Sequence, residues 1–243
     1  MNKIKHKILL IGCLLILTLI QIPGYAKSQK LKIGYVEFPP YTFTNKYYRP
    51  DGLIVNRIIT AIERAGYTWD AESFPGKRLF RNIARGYTDI FIGIKGIPML
   101  RTTTYTGRIP IGKIEMRIYY IGNKKPIFKK EDLKGKSVIL VRGYGYTDGK
   151  LQSWTNYIKD RDNKIIYEEA RGNLNAFEKL KARRAAYLLE YKLPALQTLK
   201  KIYIPNLKYN TIHSANIYII ISKKTKNARI VLKKIQREFR KNK

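Results

Sequence analysis

The side chains that most often carry covalent or acid-base chemistry are scarce in this 243-residue chain: one cysteine, Cys13, and two histidines, His6 and His213. In the body of the chain a Ser-His-Asp triad or a histidine-based metal site would rest wholly on His213, and no serine or acid pattern accompanies it. What remains suits holding a ligand rather than transforming it. Arg142-Gly143-Tyr144-Gly145-Tyr146 reads as a turn between a strand and a helix that begins near Thr147. Free amides and the helix dipole at such a place suit an anionic group; an ordinary tight turn is the alternative. As a dinucleotide fingerprint the segment fails, because Gly149 falls at the wrong spacing after Gly143-x-Gly145.

Those residues need a scaffold, and hydrophobic periodicity outlines one. Leu31 to Val36 is a short β-type run that ends at Pro39-Pro40. From Gly52 to Ala65, the residues Ile54, Ile58, Ala61, Ile62 and Ala65 share one helical face, with Asp51 before the segment and Gly66 as its stop. A second helix, about Lys77 to Arg85, ends on Gly86, and Asp89 to Ile94 follows as a buried strand. After a long β-type stretch, Ile114 to Ile121, the pattern restarts with a strand at Ser137 to Val141 and a helix at Thr147 to Ile158. A strand at Ile165 to Tyr167, a helix marked by Leu174, Phe177 and Leu180, and a strand at Ala186 to Glu190 come next. A helix near Pro194 to Lys200 and a strand at Ile202 to Ile204 close this second unit. Asn216 to Ile221 then reads as a strand, and Ala228, Val231, Leu232, Ile235 and Phe239 as the stripe of a terminal helix. Such alternation predicts an α/β architecture of parallel sheets covered by helices. Ligands of open α/β sheets sit outside the carboxyl ends of the strands, so two facing units would enclose a cleft.

Met1 to Lys7 carries Lys3, Lys5 and Lys7 without an acid, Ile8 to Ile22 is almost unbroken apolar sequence, and Pro23-Gly24-Tyr25-Ala26 follows. This order reads as a secretory signal peptide over residues 1–26, cleaved after Ala26, which predicts a periplasmic protein. Two alternatives stay open. The 15-residue apolar run, short of the roughly 20 residues of a spanning helix, could remain as an anchor, and Leu10-Ile11-Gly12-Cys13 has the form of a lipoprotein box. Cleavage would leave 217 residues without cysteine, which excludes disulfides, a thiol nucleophile and thiolate metal sites. Those residues hold 46 lysines and arginines against 17 acids, a net charge of +29. The basic residues are spread along the chain without a nucleic-acid motif, so a solvated basic surface is expected and no specific nucleic-acid partner.

The segments LKIGYVEFPPYTF, DGLIVNRIITAIERAGY, PGKRLFRNIARGYTDIFIGIKG and DLKGKSVILVRGYGYTDGKLQSW, in this order, resemble the family 3 extracellular solute-binding proteins. That family serves polar amino-acid ABC transporters, and related domains occur in sensors. The resemblance spans Leu31 to about Phe239 and is strongest to a group of solitary members that share the RGYGY turn and the YLLEY strand. It implies the type 2 periplasmic-binding-protein fold, in which two lobes, each a sheet flanked by helices, are hinged by two crossing strands. Residues 27–112 plus 213–243 would form the first lobe and 113–212 the second, with His213 at the second crossover. A ligand would favour the closed form, where both lobes touch it.

Carried over residue by residue, the resemblance places a carboxylate-gripping arginine twelve residues after Asp89, at Arg101. A guanidinium can donate two parallel hydrogen bonds to one carboxylate. Gly93, Lys95 and Gly96 stand in the loop where relatives carry small hydroxyl residues, so the backbone amides would serve there. In the second lobe it implies cleft roles for Arg142, Tyr144 and Tyr146, and for Glu190 as the partner of a ligand ammonium. Arg183 and Ala186 depart from the family's glycine and aspartate before that strand. Tyr35, Phe38 and Tyr41 would supply a stacking wall in the first lobe or simply core, with Glu37 and Arg78 at its rim. Some relatives are dehydratases, for which Glu37 or Glu190 would be the only acid-base candidates. The expectation is a monomeric protein, not an enzyme and with no cofactor, that captures an amino acid or related carboxylate for an inner-membrane permease. A ligand-sensing or accessory signalling module of the same fold is the alternative.

Overall fold

The computed structural model describes residues 28–147 and 153–241. The expected signal segment and the region 148–152 lie outside the described residues. No helix among them is long and apolar enough to cross a membrane.

The first strand, β1 (Lys30–Tyr35), lies parallel to β4 (Thr68–Ser73) and β5 (Ile90–Ile94). Between β1 and β4 come a small hairpin, β2 (Phe43–Thr44) and β3 (Pro50–Asp51), and helix α1 (Val55–Arg64). Helix α2 (Gly76–Arg85) connects β4 to β5 and ends on Gly86 in the left-handed conformation, φ 80°. A glycine fits there because it has no Cβ to clash. The expected face of α1 forms: Val55, Ile58, Ala61 and Ile62 are buried. They pack against the terminal helix α6 (Ala228–Arg240), which buries Val231, Leu232, Ile235 and Phe239. The Arg57 guanidinium lies 4.5 Å from the centre of the Phe239 ring and caps this contact.

Strands β7 (Gly112–Ile121) and β11 (Leu207–Ser222) join the two halves. They run antiparallel to each other over most of β7, with a shift in register between Thr211 and His213. The far half of β11 pairs antiparallel with β5 and with the short β6 (Thr104–Thr106). On its other side β7 pairs antiparallel with β10 (Tyr187–Tyr191), which is parallel to β8 (Ser137–Val141), itself parallel to β9 (Ile166–Ala170). The strand order is therefore continuous, β4-β1-β5-β11-β7-β10-β8-β9, rather than two detached parallel sheets. Helices α3 (Trp154–Lys159), α4 (Asn173–Lys181) and α5 (Lys192–Leu199) belong to the second half. The result is a two-lobed α/β fold hinged by two crossing strands.

Three local expectations change. The helix expected from Thr147 begins only at Trp154, where the Ser153 side chain caps it by accepting from the Thr155 amide. Among the described residues, Arg142 to Tyr146 thus has no helix directly behind it. Ile202 to Ile204 is not a strand, because Leu207 is the first residue that pairs with β7. β4 was unmarked by periodicity: along Thr-Trp-Asp-Ala-Glu-Ser each residue is exposed or half-buried, as suits an edge strand.

Candidate functional site

The carboxyl ends of β1, β8 and β10 converge, and each carries aromatic side chains there. Phe38 and Tyr41, in the loop after β1, stack on each other with ring centres 5.0 Å apart. Phe38 also meets Tyr144 edge-on at 5.3 Å and Tyr191 at 4.8 Å. Tyr144 and Tyr146 come from the loop after β8, and Tyr191 ends β10. Tyr191 stacks on Tyr146 at 5.4 Å and meets Tyr144 at 5.8 Å. Five rings therefore form one cluster that bridges the two halves of the molecule, four of them expected as site residues. Edge-to-face and offset contacts of this kind are favourable beyond the area they bury.

Behind the rings lies Glu190. Its side chain is fully buried, the Tyr191 amide donates to Oε1 at 2.6 Å, and Oε2 has no partner among the described residues. Burial penalises the charged form and pushes the carboxyl up to about 8, against one backbone hydrogen bond that favours the anion. The same burial, with Glu190 beside them, raises the phenols of Tyr144, Tyr146 and Tyr191, so all stay protonated and available as donors. Arg117 is the residue opposite Glu190 across β7 and β10, but it turns to Glu115, with Nη2 3.2 Å from Oε2. Glu115 also takes Lys192 Nζ at 3.3 Å and Lys113 Nζ at 3.8 Å. Burial alone would raise Glu115; Lys192 and Arg117 outweigh it and hold the carboxyl below its usual range. The crossover strand thus has its carboxylate already matched, whereas Glu190 is unmatched.

The other expected residues divide. Tyr35 is buried and its hydroxyl lies 2.9 Å from Thr44 Oγ1, so it braces the β2–β3 hairpin instead of joining the five rings. Arg78 is exposed on the first turn of α2, its guanidinium 5.4 Å from the Phe74 ring centre. Arg142 pairs with Glu169 of β9 at 3.2 Å and is exposed, away from the rings' contacts. Lys95, Gly96 and Arg101 line a separate cavity of about 170 Å³ with Ile97, Thr104 and Thr106, and Lys95 Nζ stands 3.9 Å over the Tyr218 ring. Gly93 has a packing reason: a Cβ there would come within 2.2 Å of the Phe91 ring. Tyr191 was missed by sequence reasoning, although it directly follows Glu190.

No protein-family model matches the sequence, and no curated protein matches it. Solved structures do match. The ligand-binding core of GluR0 in complex with L-glutamate is 15% identical, with 89% of this chain and 95% of that chain covered and a TM-score of 0.65. The arginine-bound form of a truncated ArgBP from T. maritima is 19% identical, covering 88% and 96%, with a TM-score of 0.62. A histidine kinase sensor domain with similarity to periplasmic binding proteins is 19% identical, covering 88% and 92%, with a TM-score of 0.63. At these identities the likeness is one of fold, and the fold is that of periplasmic binding proteins. These neighbours are described as ligand-binding proteins and a sensor domain.

Proposed function

We propose that this chain is an exported solute-binding protein that captures an amino acid or a similar small ammonium-bearing solute between its lobes for an ABC-type permease. The observation that carries the reading is the fully buried Glu190 carboxyl, whose Oε2 has no partner among the described residues, behind rings contributed by both halves. A carboxylate and aromatic faces together suit an ammonium or guanidinium group. Parting of the lobes would separate Phe38 and Tyr41 from Tyr144 and Tyr191 and give a ligand access, and closure would return the rings around it. The proposed lobes are residues 27–112 with 213–243, and 113–212. Arg101 is the proposed partner of the ligand's carboxylate, a role that requires the lobes to rearrange around the ligand, since Arg101 lines a cavity apart from the five rings. That the neighbours include proteins bound to arginine and to L-glutamate fits this ligand class.

Glu190 makes the proposal specific. Its carboxyl is largely protonated at pH 7 in the empty protein, and pairing with an ammonium lowers a carboxyl's pKa. Titration calorimetry at pH 7 in buffers of different ionisation heat is expected to show release of about one proton per amino acid bound. A ligand at about 100 times its dissociation constant should stabilise the fold by about 2.7 kcal/mol. If no member of a panel of amino acids and small amines raises the melting temperature, the capture reading fails. Arg101→Ala is expected to weaken a bound amino acid by about tenfold or more, in line with a lost charged hydrogen bond; unchanged affinity removes Arg101 from the site. The likeness to a histidine kinase sensor domain supports a second reading, in which the same ligand-closed form is presented to a signalling partner.

A further inference from the structure

The β2–β3 hairpin ends in a tip that leaves two aromatic rings in solvent. Tyr47 and Tyr48 are 68% and 92% exposed, side by side, between Lys46 and Arg49. Tyr48 adopts φ 59°, in the left-handed region that suits glycine or asparagine and is disfavoured for a bulky side chain. Its ring is almost wholly in water, so internal packing does not compensate for that conformation. The tip is nevertheless held firmly. Asn45 Oδ1 accepts from the amides of Tyr47 at 2.9 Å and Arg49 at 3.1 Å, the Asn45 amide donates to the Arg49 carbonyl, and the Tyr48 amide donates to the Asn45 carbonyl. At the base, Thr44 donates to both Glu37 oxygens, through its amide at 3.0 Å and its hydroxyl at 2.6 Å. Strain kept in place by surrounding hydrogen bonds, with an aromatic pair on display, points to contact with something outside the chain.

From this geometry we infer that the hairpin tip is a membrane-docking element, which seats Tyr47 and Tyr48 in the headgroup region of an anionic phospholipid bilayer. Tyrosine has an apolar ring and a polar end and favours that boundary. Lys46 and Arg49 flank the rings, Lys46 Nζ lies 4.8 Å from the Tyr47 ring centre, and residues 45–50 contain no acid. The nearest acid, Asp51, is turned back to the Gly52 amide and the Asn56 side chain. The whole chain carries a net charge of +32, which attracts it to a negative surface before the tip makes contact. A protein partner is the less suitable occupant. A stable protein interface buries about 1,000 Å² or more, and five residues on a convex turn cannot supply that. The hairpin follows directly on the loop that carries Phe38 and Tyr41, so docking would hold the aromatic cluster near the bilayer. The inference does not depend on what ligand the cluster takes.

The test uses the whole chain and phosphatidylcholine vesicles with roughly one-third phosphatidylglycerol, a composition with strongly negative surface potential. Residues 1–26 are the same in every variant, so differences report on the tip. Tyr47→Ser combined with Tyr48→Ser is expected to lower partitioning about tenfold with circular dichroism unchanged. Tyr48→Trp supplies a local reading: its emission should shift to the blue on adding these vesicles and be quenched by brominated lipid, against the constant background of Trp69 and Trp154. Binding should weaken steeply when NaCl reaches about 0.5 M, where the screening length is about 4 Å. Equal partitioning by the double serine variant, an indole at position 48 that stays in water, or equal binding to neutral vesicles would each overturn the inference.

Discussion

Glu190→Gln is expected to leave the protein within about 1 kcal/mol of its parent's stability at pH 5 and more stable by a few kcal/mol at pH 9. The sign follows from where the proton sits. In the unfolded chain Glu190 ionises near the usual carboxylate value of about 4.3, while in the folded protein burial holds it up to about 8. Between those values the folded state binds one more proton than the unfolded state. Stability therefore falls as pH rises, by about 1.4 kcal/mol per pH unit, and is fully lost for this group above the folded value. Glutamine keeps an oxygen for the Tyr191 amide and carries no charge to bury, so the variant lacks the fall. Below pH 5 the opposite slope enters: Glu115, Glu168 and Glu169, held low in the folded state by lysine and arginine partners, contribute stability that is lost as they protonate. The parent should accordingly be most stable near pH 5. Urea denaturation at pH 5, 7 and 9 reads this directly, and parallel curves for parent and variant would show that Glu190 titrates as an ordinary surface acid.

Tyr146→Ala is expected to cost about 4 kcal/mol or more, enough to unfold much of a domain whose total stability is about 5–15 kcal/mol. The ring is fully buried, stacks on Tyr191 and meets Tyr144 edge-on. Removing a buried aromatic ring costs about 3–5 kcal/mol. The Tyr146 hydroxyl also accepts from the Val141 amide at 3.1 Å, a buried donor that the alanine would strand. Tyr146→Phe separates the two contributions, because it keeps the ring and loses the acceptor, and should cost about 1–3 kcal/mol. Chemical denaturation of the three proteins distinguishes a structural pillar behind the cluster from a removable ligand contact. A Tyr146→Ala protein as stable as its parent would place the ring outside the core.

What the chain alone disclosed follows physical range. Helices α1 and α6 were legible because each buries one face, and their periodicity is written within a dozen residues. β7 and, of β11, only Asn216 to Ile221 were recognised as β-type, since pairing between residues some 90 positions apart leaves no local mark. The cluster was half legible. Phe38, Tyr41, Tyr144 and Tyr146 were singled out as aromatics at the ends of strands, but their meeting depends on contacts across the crossover. Tyr191 stayed hidden because every residue of β10 is buried, so alternation could not tell which side chains face the cleft. Glu190 was found as an acid at a strand end, and only the packing around it shows that the carboxyl is without a counter-ion. Arg142 shows the reverse: a cation beside a glycine turn suggests an anion site, whereas Glu169 on the neighbouring strand already occupies it.

The crossing strands also set an order of manufacture. The core made by Tyr119, Val141, Phe177, Leu188, Ala195 and Ile204 is drawn from one continuous stretch and can close as soon as that stretch has been made. The apolar face of α1 gains only part of its cover early, from β3 and β4. Ile58 and Ile62 are made some 170 positions before Val231, Leu232 and Ile235, which complete the cover of that side. Until those residues are made, the half that contains α1 therefore stays unfinished beside a second half that is already closed, and open to chaperones. A stop codon ahead of Ala228 would leave that side of α1 uncovered for good, and the product should aggregate rather than survive as a shorter protein.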